Sequence, residues 1–174
     1  MSQLSMLDDD SRNHSPNPRI EKLLNQVDVA WKEFIASWAD LSDADLLLPG
    51  VTGDWSIRDL VAHVTWWDRE AIDHLPLILS GGRPPKYSDK YGGIDAFNAQ
   101  MTEKKRDLSL DQVRQEFEST HARLIDYILS VAPEDILAEP RFRRRLKLDT
   151  FGHYPIHTAD ILSWRSRNGL EAGQ

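Results

Sequence analysis

Apolar side chains recur at steps of three and four along most of the chain. Leu23, Leu24, Val27, Ala30, Trp31, Phe34, Ile35 and Trp38 follow Ile20 in this way, the period of a helix with one buried face, and predict a first helix over 19–40. After a loop containing Pro49, Gly50 and Gly53, Ser56 stands three residues before Asp59, an acidic form of the capping box. A second helix starts there, its stripe of Ile57, Leu60, Val61, Val64, Trp67, Ala71 and Leu75 running to about Leu79, with a kink expected at Pro76. Residues 80–93 hold four Gly and two Pro around Tyr87 and Tyr91, a long connection of the kind that forms lids. The third helix is predicted from near Asp95 to about Ala132. Ser109 and Gln112 form a second capping box there and mark an interruption or kink before Val113, Phe117, His121, Leu124 and Ile128. From Glu139 to Leu148, cations mixed with Phe142, Leu146 and Leu148 suggest an extended connector or short strand. A fourth helix follows over about 152–168, closed by Gly169 with Arg165 and Arg167 in its last turn. The pattern predicts an all-α four-helix bundle over 18–174, preceded by a polar, disordered tail over 1–17 that carries Asp8, Asp9 and Asp10.

Composition narrows the chemistry. The chain has 174 residues, 40% of them hydrophobic, enough for one domain with a sizeable core. With no cysteine, a disulfide scaffold, a cysteine nucleophile, an iron-sulfur cluster and a thiolate zinc site are excluded, so any metal must be held by His, Asp or Glu. A net charge of -7, from 21 basic and 28 acidic side chains, argues against nucleic acid or an anionic membrane as partner. No stretch is apolar enough to span a bilayer and the N-terminus lacks the marks of a secretory signal, which predicts a cytoplasmic protein without a membrane partner. Neither a phosphate-cradling glycine loop, a serine elbow nor an EF-hand loop is present.

The histidines carry the sharper signal. His63 flanks the buried stripe of the second helix, where a lone imidazole is more often a hydrogen-bonded core residue than a ligand. His153 and His157 are four apart and lead into Ile161 and Trp164, so both rings project along the face that enters the core. Two imidazoles so placed reach one divalent ion and leave a third ligand to come from a facing helix, for which His63 is the candidate. Three His ligands keep positions open for water or substrate, as in catalytic sites. The alternative is that His153 bonds locally and His157 is a satisfied core residue. Imidazole ligands suit zinc, nickel or iron alike. Asp59 and Asp160 lie near enough along their helices to orient a ligating imidazole, Asp59 having capping as its other role. Trp55 and Trp67 near His63, with Tyr154, are candidates to wall a substrate pocket, with core packing as the alternative. His14 and His74 are expected to be solvated, and His121 to lie on a helix face without an evident partner. The run Arg141 to Lys147 is expected to be a solvated connector.

Three segments, GDWSIRDLVAHVTWWDRE (53–70), FNAQ (97–100) and FGHYPIHTADILSWR (151–165), together resemble the DinB-like superfamily and within it the DfsB/ClbS family. The resemblance covers about 20–168. It implies an antiparallel four-helix bundle with one long crossover connection, often dimeric. One His of the second helix and two of the fourth hold a divalent metal in metal-binding members, and His63, His153 and His157 match those positions. The superfamily includes transferases and isomerases that use low-molecular-weight thiols, and the ClbS branch is associated with protection from a genotoxin by hydrolysis of its cyclopropane warhead.

Two functional expectations follow. In the first, a metal-dependent hydrolase or thiol transferase uses His63, His153 and His157 against an electrophilic small molecule, in detoxification or resistance, as a homodimer. In the second, a metal-free protein binds or sequesters a small molecule in the same pocket. DNA association through Arg141, Arg143, Arg144, Arg145 and Lys147 is a weaker third, opposed by the acidic net charge.

Overall fold

The computed structural model describes residues 17–170. The tail expected over 1–17, with His14, lies outside the described residues except for Asn17. Helix α1 (Pro18–Ala36) starts where the Asn17 side chain accepts from the Arg19 amide and Pro18 supplies a pre-set φ at a position whose amide is unpaired in any helix. It ends earlier than expected, in a turn, and the short α2 (Asp43–Leu46) follows, capped reciprocally by Ser42 and Asp45. Helix α3 (Ile57–Leu79) is bounded as the pattern predicts, with Pro76 inside its last turn. The connection after it contains the short α4 (Tyr87–Tyr91).

The expected third helix is two. Helix α5 (Ile94–Lys104) and α6 (Leu110–Ser130) are separated by a break just before the Ser109–Gln112 box. The Arg58 guanidinium donates to the carbonyls of Lys105, Arg106 and Leu108, pinning that break to the start of α3. Helix α7 (Pro133–Ala138) and α8 (Pro140–Asp149) come next, then α9 (Tyr154–Arg167).

Helix α8 corrects the sequence reading of 139–148 as extended. Phe142, Arg145, Leu146 and Asp149 are buried, a helical three-and-four spacing hidden because half of it is charged. Glu139 caps the first turn by accepting from the Arg141 amide, and Pro140 is at its first position.

Among the described residues there is no strand, only one isolated bridge between Thr52 and Trp55. The long helices α1, α3, α6 and α9 form the bundle, and α3 packs against α6, α8, α5 and α9. One apolar cluster joins Phe34 of α1, Leu60 of α3, Phe117 of α6 and Ile161 of α9. A second, toward the other end, joins Val27, Leu75, Leu124 and Phe142. Each such side chain contributes roughly 1.5–3 kcal/mol on burial. Arg165 ties the end of α9 to the turn after α1, donating to the Ser37 carbonyl at 2.8 Å and to the two Asp40 oxygens at 2.6 and 2.7 Å. That guanidinium holds the Asp40 carboxyl below its ordinary range. No helix of the described residues is long and apolar enough to cross a membrane.

Candidate metal centre

Helix α3 contributes His63 and the start of α9 contributes His153 and His157. His153 is the residue before α9, and Pro155 falls in the first turn, where its missing amide leaves no bond unmade. The α8–α9 connection is tight. Gly152 donates to the Lys147 carbonyl at 2.8 Å, and the amides of His153 and Tyr154 both donate to the Thr150 carbonyl. A Cβ on Gly152 would come within 2.6 Å of the Lys147 oxygen, so only glycine lets α8 and α9 approach closely enough to set His153 against His63.

The three rings converge through their Nε2 atoms. His153 Nε2 is 3.2 Å from His63 Nε2 and 2.9 Å from His157 Nε2. His157 turns its Nδ1 to Asp160 Oδ2 at 3.3 Å, and Thr52 donates to the same oxygen at 3.2 Å. With its proton on Nδ1, His157 presents a lone pair at Nε2. A ring nitrogen has one in-plane position, holding a proton or a lone pair, so His153 Nε2 satisfies one neighbour at most. His153 Nδ1 is buried without a hydrogen bond of ordinary geometry.

Burial keeps all three rings neutral. It pushes His63 down to about 2, with the neighbouring His153 and His157 adding to the effect. His153 is pushed down to about 3, by burial and then His157, against a smaller opposing pull from the Asp149 backbone. His157 is lowered by burial while Asp160 pulls the other way. Three neutral imidazoles with nitrogens aimed at one point are a donor set that fits a divalent transition ion. A tetrahedral site with metal–nitrogen bonds of about 2.0–2.1 Å places its ligand atoms about 3.3 Å apart.

Trp55 and Trp67 flank these rings. Trp55 lies 5.0 Å from His63 and Trp67 lies 5.6 Å from His153, centroid to centroid. Trp55 also lines a cleft of about 510 Å³ against α5, with Asn98, Thr102 and Arg106 on the far wall. Trp67 is buried and packs on Phe97 and Tyr87. Tyr154 is not a pocket residue. It is fully buried, its hydroxyl donating to Asp68 Oδ1 at 2.6 Å, because the step from His153 to Tyr154 turns the side chain from the cluster into the core. Asp59 does not orient His63 either. It accepts from the Ser56 amide at 3.0 Å and pairs with Arg58, since the third position of a helix reaches back to its own cap.

Two further histidines depart from expectation. His74 is buried, its Nδ1 3.6 Å from a Glu70 oxygen. His121 does have partners: its ring stacks on Trp31 at 3.6 Å, and its Nδ1 is 3.6 Å from Asp68. The basic run is no solvated connector throughout, since Arg145 is buried, donating to Asp149 and to the Tyr87 hydroxyl. Burial pushes Asp149 up to about 8 against the pull of Arg145. The four-residue spacing of Arg145 and Asp149 was the available sequence signal for that pair.

The sequence matches the DinB superfamily over residues 26–160, a span that contains all three histidines. The chain belongs to the DinB superfamily. A crystal structure of an uncharacterised protein from Escherichia coli UTI89 is similar to this DinB-superfamily chain, with a TM-score of 0.74 at 15% sequence identity, covering 88% of this chain and 96% of that one. At that identity the likeness is one of fold. No curated protein matches the sequence.

Proposed function

We propose that the chain is a metal-dependent enzyme of DfsB/ClbS type, a hydrolase or thiol transferase that acts on an electrophilic small molecule. The observation that carries this reading is the convergence of three neutral Nε2 atoms. His63, His153 and His157 would hold the ion, zinc, nickel or iron. When bound, it supplies Lewis acidity and draws a nucleophile, from water or a thiol, at neutral pH. The protein's own part is orientation and exclusion of water. Asp160, held by Thr52, keeps the His157 proton on Nδ1 and its lone pair inward. Trp67 closes the site from behind, while Trp55 meets the substrate at the edge of the α5 cleft. A role in detoxification and a homodimeric state follow from the same resemblance and belong to the proposal.

The test is elemental analysis of protein purified without chelator or histidine tag, beside His153→Ala. Near-stoichiometric metal in the wild type and its loss in the variant are expected. A wild type that stays metal-free after incubation with zinc, nickel and iron would overturn the enzyme reading in favour of small-molecule sequestration.

A further inference from the structure

Helices α1, α7 and α8 enclose a surface groove of about 640 Å³. Its rim carries Arg19 and Lys22 from α1 and Arg143, Arg144 and Lys147 from α8. Among the described residues none of these five pairs with a carboxylate, and Arg143 meets the Gln26 amide at 3.4 Å. Arg19 and Lys22 are three apart and Arg143 and Lys147 four apart, so like charges are neighbours on each helix and repel. The floor is the outer side of an apolar cluster, Ile20, Leu23 and Ile136, with Leu137 left 41% exposed at the edge. Across α8 a second hollow of about 370 Å³ shares Arg144 and adds Arg83 and the 58% exposed Leu148. Cationic and apolar groups therefore continue past the groove, over more surface than a small ligand covers.

We propose that the groove receives an acidic amphipathic helix of another protein. Charge favours it: a helix with carboxylates flanking an apolar stripe neutralises the rim and covers the floor together. Length agrees. One wall runs from Arg19 to Gln26 on α1 and the other from Pro140 to Lys147 on α8, each about 10 Å of helix, the span of anchors at i, i+3, i+4 and i+7. Shape and net charge oppose the other anionic partners. A planar bilayer stays above a concave floor, and a duplex neutralises the rim while leaving the floor uncovered. Both also face the rest of a chain of net charge -7, whereas a short helix seated between α1 and α8 feels mainly the rim, since screening confines the interaction to about 10 Å.

The probe is a fluorescein-labelled peptide of about 16 residues, with Leu at i, i+3, i+4 and i+7 and Glu on both flanks, titrated with the full chain at low ionic strength and followed by anisotropy. Saturable binding in about the micromolar range is expected. Lys22→Glu with Arg144→Glu, one cation from each wall, should weaken it about tenfold, and Arg19→Glu with Arg143→Glu should do the same. All four side chains are exposed, so neither pair alters a core contact. Leu137→Ser should weaken binding about threefold by removing apolar contact at the edge. Absence of saturable binding, or affinity indifferent to both charge-reversed pairs, would overturn the proposal. Equal affinity for a peptide with Ser in place of every Leu would overturn it too, reducing the groove to a site of bare charge attraction. So would a DNA duplex or phosphatidylglycerol vesicles that bind more tightly than the peptide and lose that binding in the same variants.

Discussion

Each imidazole of the cluster is neutral because of where it sits, and this makes the three residues one source of the protein's sensitivity to acid. His63 and His153 ionise at about 2 and about 3, against an ordinary 6.5. The folded chain therefore refuses protons that the unfolded chain takes up below 6.5. The stability that these rings contribute is complete above that pH and is lost progressively as pH falls from 6.5 toward 3. In chelator-treated protein, His63→Gln removes one such group and should flatten the fall by up to about 1.4 kcal/mol per pH unit, measured from urea midpoints across that window. Identical slopes for variant and parent would mean that the folded protein protonates the ring. At this scale the four-residue step of His153 and His157 was legible in the sequence. The role of Asp59 was not, because spacing alone does not tell a carboxylate that caps its helix from one that reaches a neighbouring ring.

Between elements, the short turn from α8 to α9 sets the position of His153. Gly152 sits against the Lys147 carbonyl, where a methyl group would meet the oxygen at 2.6 Å. Gly152→Ala must push α8 from α9, at a cost of about 1–3 kcal/mol, and should lower metal occupancy while helix content is retained. Thermal melting with elemental analysis checks this, and unchanged values on both would refute the close-approach argument. The caps at Ser56 and Ser109 were visible as local sequence, so α3 and α6 begin where expected. Helix α8 was not visible. Two of its buried positions are Arg145 and Asp149, and only the tertiary partners Tyr87 and Trp67 explain how a charged pair lies on an inner face.

Across the whole molecule, Tyr154 joins four helices. From α9 its hydroxyl reaches Asp68 of α3 and lies 3.4 Å from His121 of α6, while Phe34 of α1 stacks on its ring. Burial raises the Asp68 carboxyl above its ordinary value, against the opposing pull of His121, so loss of the phenol leaves a buried acceptor unpaired. Tyr154→Phe should destabilise the protein by about 1–3 kcal/mol in chemical denaturation and leave metal content near that of the parent. An unaltered midpoint would refute this structural role for the Tyr154 hydroxyl.

The sequence by itself determined the helical class, the starts of α3 and α6 and the face of α9 that carries two histidines, because periodicity and capping are local and act within a few residues of chain. Tertiary structure decided the rest. His63 is ninety residues from His153, and their meeting depends on how α3 packs against the start of α9. The same packing moved Tyr154, His74 and Arg145 indoors. Burial of Tyr154 and Arg145 is settled by partners distant in sequence, Asp68 and Tyr87, and a desolvated group is tolerated only where such partners are brought to it.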